Sequence, residues 1–426
     1  MEIKNFIQTK ENGNSHTTEE INYFIKNLNS FSQNEITQWL KAVKHNGLDL
    51  EETSALTLAM ANSGEILSWE ELEPVIDKHS TGGIGDKVTL LFVPLLAAYG
   101  INVPKLSGRS LGITGGTIDK LESIPGFRTN LTIEEIKNQV KEIGLAIASA
   151  SSNLAPADKR LYAIRDVTDT IDSIPLIASS IMSKKIAMGA KNIILDVKCG
   201  TGAFMKTIER SVLLADTMTK IGSNLNKNIK TVITDMNQPL GNMIGNTLEI
   251  KEALEVLSGK EVQDLVEVVI SLAKEAILLI EPTVSIASLE KKLMNLLLQG
   301  GSLSKFEKMV TFQGGNLSKL SESKYIEKVR FPHEGYIQQV DAKLIGEVVF
   351  SLGGGRTSIK DSIDYASGIT LFKKIGDFIK KDETILEIHT NNLDNMENIK
   401  NKLLSSVTIS KAIPNKIQLI HKISRK

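Results

Sequence analysis

Up to about residue 65, apolar residues recur at intervals of three and four, the spacing that gathers them on one face of a helix. Thr17, followed by Thr18, Glu19 and Glu20, offers a hydroxyl cap and an acidic first turn for one such helix. The run EETSALTLAMANSGEI from Glu51 predicts another, ended by Gly64. From Ile76 onward the pattern changes. The short apolar runs in NVPKLSGRS, GLAIASASS, NIILDVKCGTG and KTVITDMNQPLG each lead into a polar or Gly-rich turn and then into helical spacing. Strand, loop and helix in alternation predict a mainly parallel sheet whose functional loops follow the carboxyl ends of the strands. The segment APADKRLYAIRDVTDTIDSIPLIASSIMSKKIAMG, from Ala155 to Gly189, interrupts this alternation with helical spacing cut by Pro156 and Pro175. It reads as a return to the first helical bundle. Beyond Phe331, HEGYIQQV and ITLFKKIGDFIKKDETILEIHT have the alternation of short strands, with a GD turn between two of them.

The fold class expected is therefore α/β: a helical domain, a larger α/β domain with a mainly parallel central sheet, and a C-terminal β-rich α+β module. The boundaries expected are 1–66 and 155–189 for the helical domain, 67–154 and 190–330 for the α/β domain, and 331–426 for the last module. A chain of 426 residues, 41% of them hydrophobic, is long enough for roughly two to three such units. No internal repeat suggests a solenoid.

Charge narrows the function. Lys plus Arg and Asp plus Glu both number 50, so no global basic field exists to hold a nucleic-acid backbone, and any anion must be held locally. The polar start MEIKNFIQTKENGNSH is unlike a secretory signal, and no segment has the ~18 uninterrupted apolar residues of a membrane span. A soluble cytoplasmic protein is expected, with no membrane or nucleic-acid partner. The single cysteine, Cys199, excludes an internal disulfide and a Cys-cluster metal site. It reads as a small buried filler, with a catalytic thiol as the alternative.

Three stretches could carry chemistry. In KHSTGGIGDKVT, Lys78 to Thr89, three glycines let backbone amides approach an anion, and the following run VTLLFVPLLAAYG forms a helix whose N-terminus points at it. Asp86 between Gly85 and Lys87 rules out a Walker loop, and a plain turn is the competing reading. In SGRSLGITGGTIDKLE, Ser107, Thr114 and Thr117 are neutral hydroxyl donors for oxyanion oxygens. Two such loops could enclose one phosphate, with Lys78 supplying charge and Ser80, Thr89 and Thr117 supplying direction. Asp119, Lys120 and Glu122 read as local ion pairs. In the helical interruption Ser180 and Lys184 are four apart and share a face; with Arg165 they could present three donors to one planar ligand, or form a solvated basic face. His79 alone of six histidines lies in a Gly-rich loop, and none is paired in a zinc pattern.

KHSTGGIGD, SGRSLGITGGTIDKLESIPGF, LAPADKRLYAIRDVTDTIDSIPLIASSIMSKK and DVKCGTGAFMK, in this order, resemble the thymidine and pyrimidine-nucleoside phosphorylases, and GITLFKKIGDFIKKDETILEIHT resembles that family's last module. The resemblance implies a homodimer with its active site in a cleft between helical and α/β domains. It implies reversible phosphorolysis of uridine, thymidine and deoxyuridine to a free pyrimidine and a pentose 1-phosphate, with inorganic phosphate as co-substrate and no organic cofactor. It carries phosphate binding onto Lys78, His79, Ser80, Thr89, Lys105, Leu106, Ser107 and Thr117, and pyrimidine binding onto Tyr162, Arg165, Ser180 and Lys184. His79, Arg165 and Lys184 take catalytic roles: His79 protonates the leaving base, and the other two stabilise charge on its carbonyls. A monovalent cation, potassium, is carried onto Gly85, Lys87, Leu240, Met243 and Glu252, where a salt bridge from Glu252 is the rival.

The sequence departs from the family pattern at Ser110 (SGRGL is usual), at Ile113 (GHTGGT has a histidine) and at Ala150, where a glutamine is usual. Lys105 resembles the broader bacterial branch and favours uridine and deoxynucleosides over strict thymidine use. The alternatives are a thymidine-specific phosphorylase, a related phosphorylase of nucleotides such as AMP, and a non-catalytic nucleoside-binding homologue.

Overall fold

The computed structural model describes residues 2–109, 113, 115–356 and 361–424. Four helices open the chain: α1 (Ile3–Glu11), α2 (Thr18–Lys26), α3 (Gln33–Asn46) and α4 (Leu50–Ala61). Thr17, Ser32 and Asp49 each start a helix by accepting the backbone N–H three residues on, and Glu20, Glu35 and Glu52 bond back, so each start satisfies its own stray amides. The bundle's core is aromatic. Phe6, Phe24 and Trp39 stack in it with His16, whose ring lies 3.8 Å from that of Phe6.

Next come β1 (Ile76–Ser80), α5 (Val88–Tyr99), β2 (Val103–Ser107), α6 (Thr117–Glu122), α7 (Ile133–Ile143) and β3 (Leu145–Ser149). The helices α8 (Pro156–Asp166) and α9 (Ile174–Ala187) follow, each with a proline in its first turn, where the missing N–H costs nothing. Ala157, Leu161 and Ile164 of α8 and Leu176 of α9 join the core of the first four helices; Ile177, Met182 and Ile186 of α9 pack instead under the sheet.

The chain then resumes strand and helix with β4 (Asn192–Cys199), α10 (Ile208–Asn224), β5 (Asn228–Asp235), a two-residue β6 (Met243–Ile244) and the helices α11 (Asn246–Leu257), α12 (Gln263–Ile280), α13 (Ile286–Leu298) and α14 (Gly301–Phe312). Strands β1, β4 and β5 are parallel neighbours, with Ser80 opposite Asp196 and Cys199 opposite Asp235. β2 and β3 form a second parallel pair, which meets β1 through the Val75–Asn102 bridge. β4 is buried along its whole length because helices cover both faces, as parallel sheets require.

The last part carries β7 (Tyr325–Phe331), β8 (Gly335–Val340), α15 (Ala342–Val349), β9 (Gly368–Leu371), β10 (Phe378–Ile379), β11 (Glu383–Thr390), α16 (Met396–Ser405), β12 (Val407–Ser410) and β13 (Ile420–Ile423). Two antiparallel sheets, β6-β9-β11-β7 and β10-β8-β12, enclose their own core. This module is sewn to the rest twice: β6 comes from the α/β part, and β13 runs back to pair antiparallel with β5.

Candidate active site

The carboxyl ends of β1 and β2 open onto one cavity of about 870 Å³, whose opposite wall is made by α8 and α9. Among the described residues, eight lysines and arginines line it against two aspartates, Asp86 and Asp158. A chain of zero net charge thus concentrates positive charge at one concavity, the condition for holding a polyanion.

On the sheet side, loop 81–87 joins β1 to α5. Gly82 and Gly85 take φ of 86° and 73°, and a side chain at Gly85 would lie 2.6 Å from the Leu240 carbonyl. Ser80 Oγ donates to Asp86 Oδ2 at 2.5 Å and accepts the Gly82 N–H at 3.2 Å, so one hydroxyl shapes the turn. Burial disfavours the Asp86 charge, but Lys198, Lys78 and Lys120 hold its carboxyl well below the usual range.

His79, Ser80, Thr89, Lys105, Leu106, Ser107 and Thr117 all line the cavity. Lys78 does not. Its fully buried ammonium lies 3.4 Å from Asp196 and 3.4 Å from the Thr89 hydroxyl, so Thr89 stands between it and the cavity. Below the loop, Asp196 also pairs with Lys198 at 2.8 Å and accepts from Thr234 at 2.7 Å.

Two groups on this wall are strongly perturbed. Burial, then the charges of Lys185, Lys105, Lys184 and Lys78, push the His79 pKa well below its ordinary value, so its imidazole is neutral. Burial and the neighbouring Lys185 likewise push Lys105 well down; its Nζ donates to the Leu106 carbonyl at 2.7 Å.

On the helical side, Tyr162, Arg165, Ser180 and Lys184 line the cavity together. Arg165 is held from the helical side: Nε, Nη1 and Nη2 donate to the carbonyls of Thr170, Leu176 and Ile171 at 3.3, 3.1 and 2.7 Å. The guanidinium therefore fastens the α8–α9 connection while lying 5.8 Å from the Tyr162 ring centre. Lys184 donates to Ser180 Oγ at 3.1 Å and forms an ion pair with Asp158, one turn into α8.

Such a cavity, with glycine-rich loops and paired cations facing a wall of directional donors, suits an anion on one side and a planar polar ligand on the other. Comparison with known proteins gives the arrangement its family. Residues 72–303 match the model of the glycosyl transferase family a/b domain, and residues 336–410 that of the pyrimidine nucleoside phosphorylase C-terminal domain. Over 432 aligned residues the chain is 42% identical to the pyrimidine-nucleoside phosphorylases of Staphylococcus haemolyticus (strain JCSC1435) and Staphylococcus aureus (strain MSSA476), covering 99% of each chain. The chain belongs to the pyrimidine-nucleoside phosphorylase family. It is thereby an enzyme of the pentosyltransferase class with phosphate as co-substrate. A crystal structure of anthranilate phosphoribosyltransferase from Thermus thermophilus shares the fold, with a TM-score of 0.59, 18% identity, and coverage of 72% of this chain and 98% of that one.

The departures from the phosphorylase pattern fall in three places. Ser110 lies outside the described residues, as does Thr114. Ala150 and Ile113 line the cavity, and Ile113 also packs against the apolar core of the C-terminal module, which accounts for an apolar residue there. Cys199 is buried at the end of β4, and burial pushes its thiol up, which leaves it unionised. Sequence reading missed Asp158, Asp86 and Lys185 as members of the cavity wall. Each lies inside a quoted motif, APADK, GGIGD and SKK, but only the fold shows Lys185 paired with buried Asp77 at 2.7 Å and facing the cavity.

The residues carried over for potassium do come together, around a different cation. Lys87 Nζ donates to the Leu240 carbonyl at 2.7 Å and pairs with Glu252 Oε2 at 2.7 Å, while Met243 presents its N–H, not its carbonyl, to Glu252 at 3.1 Å. Lys87 and Gly85 are themselves joined by a backbone bond of 2.8 Å.

Proposed function

We propose that this enzyme phosphorolyses uridine, thymidine and deoxyuridine, releasing the free pyrimidine and (deoxy)ribose 1-phosphate, and that it works in the cytoplasm as a homodimer. The observation that carries the reading is the single cavity with an anion-holding wall on the sheet and a donor wall on α8 and α9. Phosphate is held by Ser80, Thr89, Ser107, Thr117 and Lys105, with the Leu106 backbone beside them, and Lys78 acts on it through Thr89. The base lies against Tyr162 and between Arg165, Ser180 and Lys184.

A phosphate oxygen attacks the anomeric carbon as the carbon–nitrogen bond to the base breaks, and the electron pair of that bond leaves with the base. Negative charge then grows on the pyrimidine carbonyls. Arg165 and Lys184, already oriented by the Leu176 carbonyl and Asp158, meet it without reorganising, which is the condition for electrostatic stabilisation. His79 is neutral before phosphate binds; the arriving dianion raises its pKa, and the imidazolium so formed delivers the proton that completes the free base.

Incubation of the protein with phosphate and, in turn, uridine, thymidine, deoxyuridine and AMP, followed by measurement of free base, tests the specificity. Release from all three pyrimidine nucleosides and none from AMP is expected. Release from thymidine alone, from AMP alone, or from none would replace the reading by a strict thymidine enzyme, a nucleotide phosphorylase or a non-catalytic homologue.

A further inference from the structure

Beneath the glycine-rich loop, away from the cavity, the first residue after Asp86 is a fully buried lysine. Lys87 is wholly inaccessible and Glu252 is 1% exposed. The Lys87 side chain enters a socket formed by the loop between β5 and α11. The Leu240 carbonyl accepts a hydrogen bond from Nζ at 2.7 Å, the Glu252 carboxylate lies at 2.7 Å, and Gly241 packs so closely that a side chain there would lie 2.7 Å from Nζ and 2.4 Å from Glu252 Oε2. Glu252 has its remaining capacity filled by the N–H groups of Asn242 at 2.7 Å and Met243 at 3.1 Å.

These residues are the set onto which a potassium ion was carried by sequence resemblance, and they do not fit one. An ammonium and a potassium ion are both monovalent and both seek oxygen at about 2.7–2.9 Å in charge-assisted contacts. The Lys87 ammonium already holds the carbonyl and the carboxylate that would ligate the metal. The one carboxylate is neutralised by it, and a second positive charge set beside a buried ammonium would meet strong repulsion in a medium of low dielectric.

We propose that Lys87 is a built-in monovalent cation, its ammonium seated where the sequence resemblance places a potassium ion, so that the loop is braced without potassium. The brace reaches the phosphate wall by short steps. Lys87 follows Asp86 directly; the Leu240 N–H donates to the Ile84 carbonyl at 3.1 Å; and Lys120, paired with Glu249 at 2.7 Å, donates to the Asp86 carbonyl at 2.8 Å. Glu249 and Glu252 stand three apart on α11, so one helix face anchors the loop through two lysines. The same socket continues into β6, which pairs with β9, so the ammonium also ties the C-terminal module to the loop.

The test uses the full chain, exchanged into buffer with tetramethylammonium as the sole monovalent cation and compared with an equal concentration of potassium. Melting temperature is one readout and the KM for phosphate the other; only the second rests on the proposed phosphorolysis, so failure of that reading leaves the melting arm intact. The wild-type protein is expected to melt at the same temperature and to keep its kcat and KM within twofold in both salts. Lys87→Thr, which removes the ammonium and leaves the oxygens, is expected to melt lower in tetramethylammonium, with a raised KM for phosphate, and to recover both in potassium with a saturable dependence. A potassium-dependent wild-type protein would overturn the proposal. So would a Lys87→Thr variant indistinguishable from wild type in tetramethylammonium, or one destabilised and no better in potassium. If that variant does not fold in either salt, the wild-type comparison decides alone.

Discussion

Arg165 fastens the α8–α9 connection at the place where the proposed mechanism needs a donor for the base. Three of its N–H groups are committed to carbonyls of the α8–α9 connection, and its planar fork is what lets one group reach all three. Arg165→Lys keeps the charge and loses the fork. Both Arg165→Lys and Arg165→Ala are expected to lower kcat/KM by roughly 10²–10³, the loss typical of a preorganised donor, with melting curves recorded to separate any loss of stability. Retention of full activity by either variant would remove Arg165 from its role. His79 and Lys105 make a second prediction at this scale. Burial and the neighbouring lysines hold both pKa values well down, and a phosphate bound beside them would favour their charged forms. Phosphate binding near neutral pH is therefore expected to take up protons, measured as a dependence of the calorimetric heat on the ionisation enthalpy of the buffer. Heats that are independent of the buffer would show that neither group changes its protonation.

Among the elements, the first helical bundle carries its own pH sensitivity. Trp39 Nε1 donates to His16 Nε2 at 3.1 Å, which requires that nitrogen to be unprotonated, and burial and then Lys10 lower the His16 pKa to about 4. The unfolded chain titrates at the ordinary 6.5, so between these values the unfolded state binds the extra proton and stability falls as pH falls. The contribution is complete above pH 6.5 and is lost on descent toward pH 4. Urea melts followed by tryptophan fluorescence should show this slope, and His16→Gln should flatten it. The bundle was well marked in sequence because its helices announce themselves locally, through caps such as Thr17 with Glu20. Although the polar β1, IDKHS, did not read as a strand, strands with an apolar run were legible too, as Ile193 to Leu195 in β4 show. The sheet's charged underside was not. Lys78 reads in sequence as a phosphate ligand, and Asp196 and Lys198 as ordinary charged residues, until β1 and β4 are brought side by side in register; nothing in the spacing says that Thr89 comes between Lys78 and the cavity. The socket of Lys87 was hidden for a related reason: its partners Leu240 and Glu252 are more than 150 positions away and contribute through a loop conformation.

Across the whole molecule, the cavity wall is divided between distant parts of the chain, with α8 packed in the core of the first four helices and α9 shared between that core and the one under the sheet. α8 and α9 supply the wall proposed for the base, loop 81–87 and the end of β2 the wall proposed for phosphate, and Lys343 of α15 also lines the cavity. Near one crossing, Leu67 donates its N–H to the Ala187 carbonyl at 2.9 Å, and Gly189, with φ of 82°, passes so close that a side chain would lie 1.8 Å from the Leu67 carbonyl. The proposed reaction needs one wall to close on the other, which brings the reactants together and expels water. Small-angle scattering is expected to show a smaller radius of gyration with phosphate plus a base analogue than without, and unchanged dimensions would count against closure. The division of labour across the cavity matters only if phosphate, and not water, receives the sugar. That is decided by following uridine with the enzyme and phosphate by ³¹P nuclear magnetic resonance while uracil is measured in the same sample. Ribose 1-phosphate is expected to rise in step with uracil and to require phosphate; uracil formed without the sugar phosphate, or no uracil at all, would contradict phosphorolysis in this cavity.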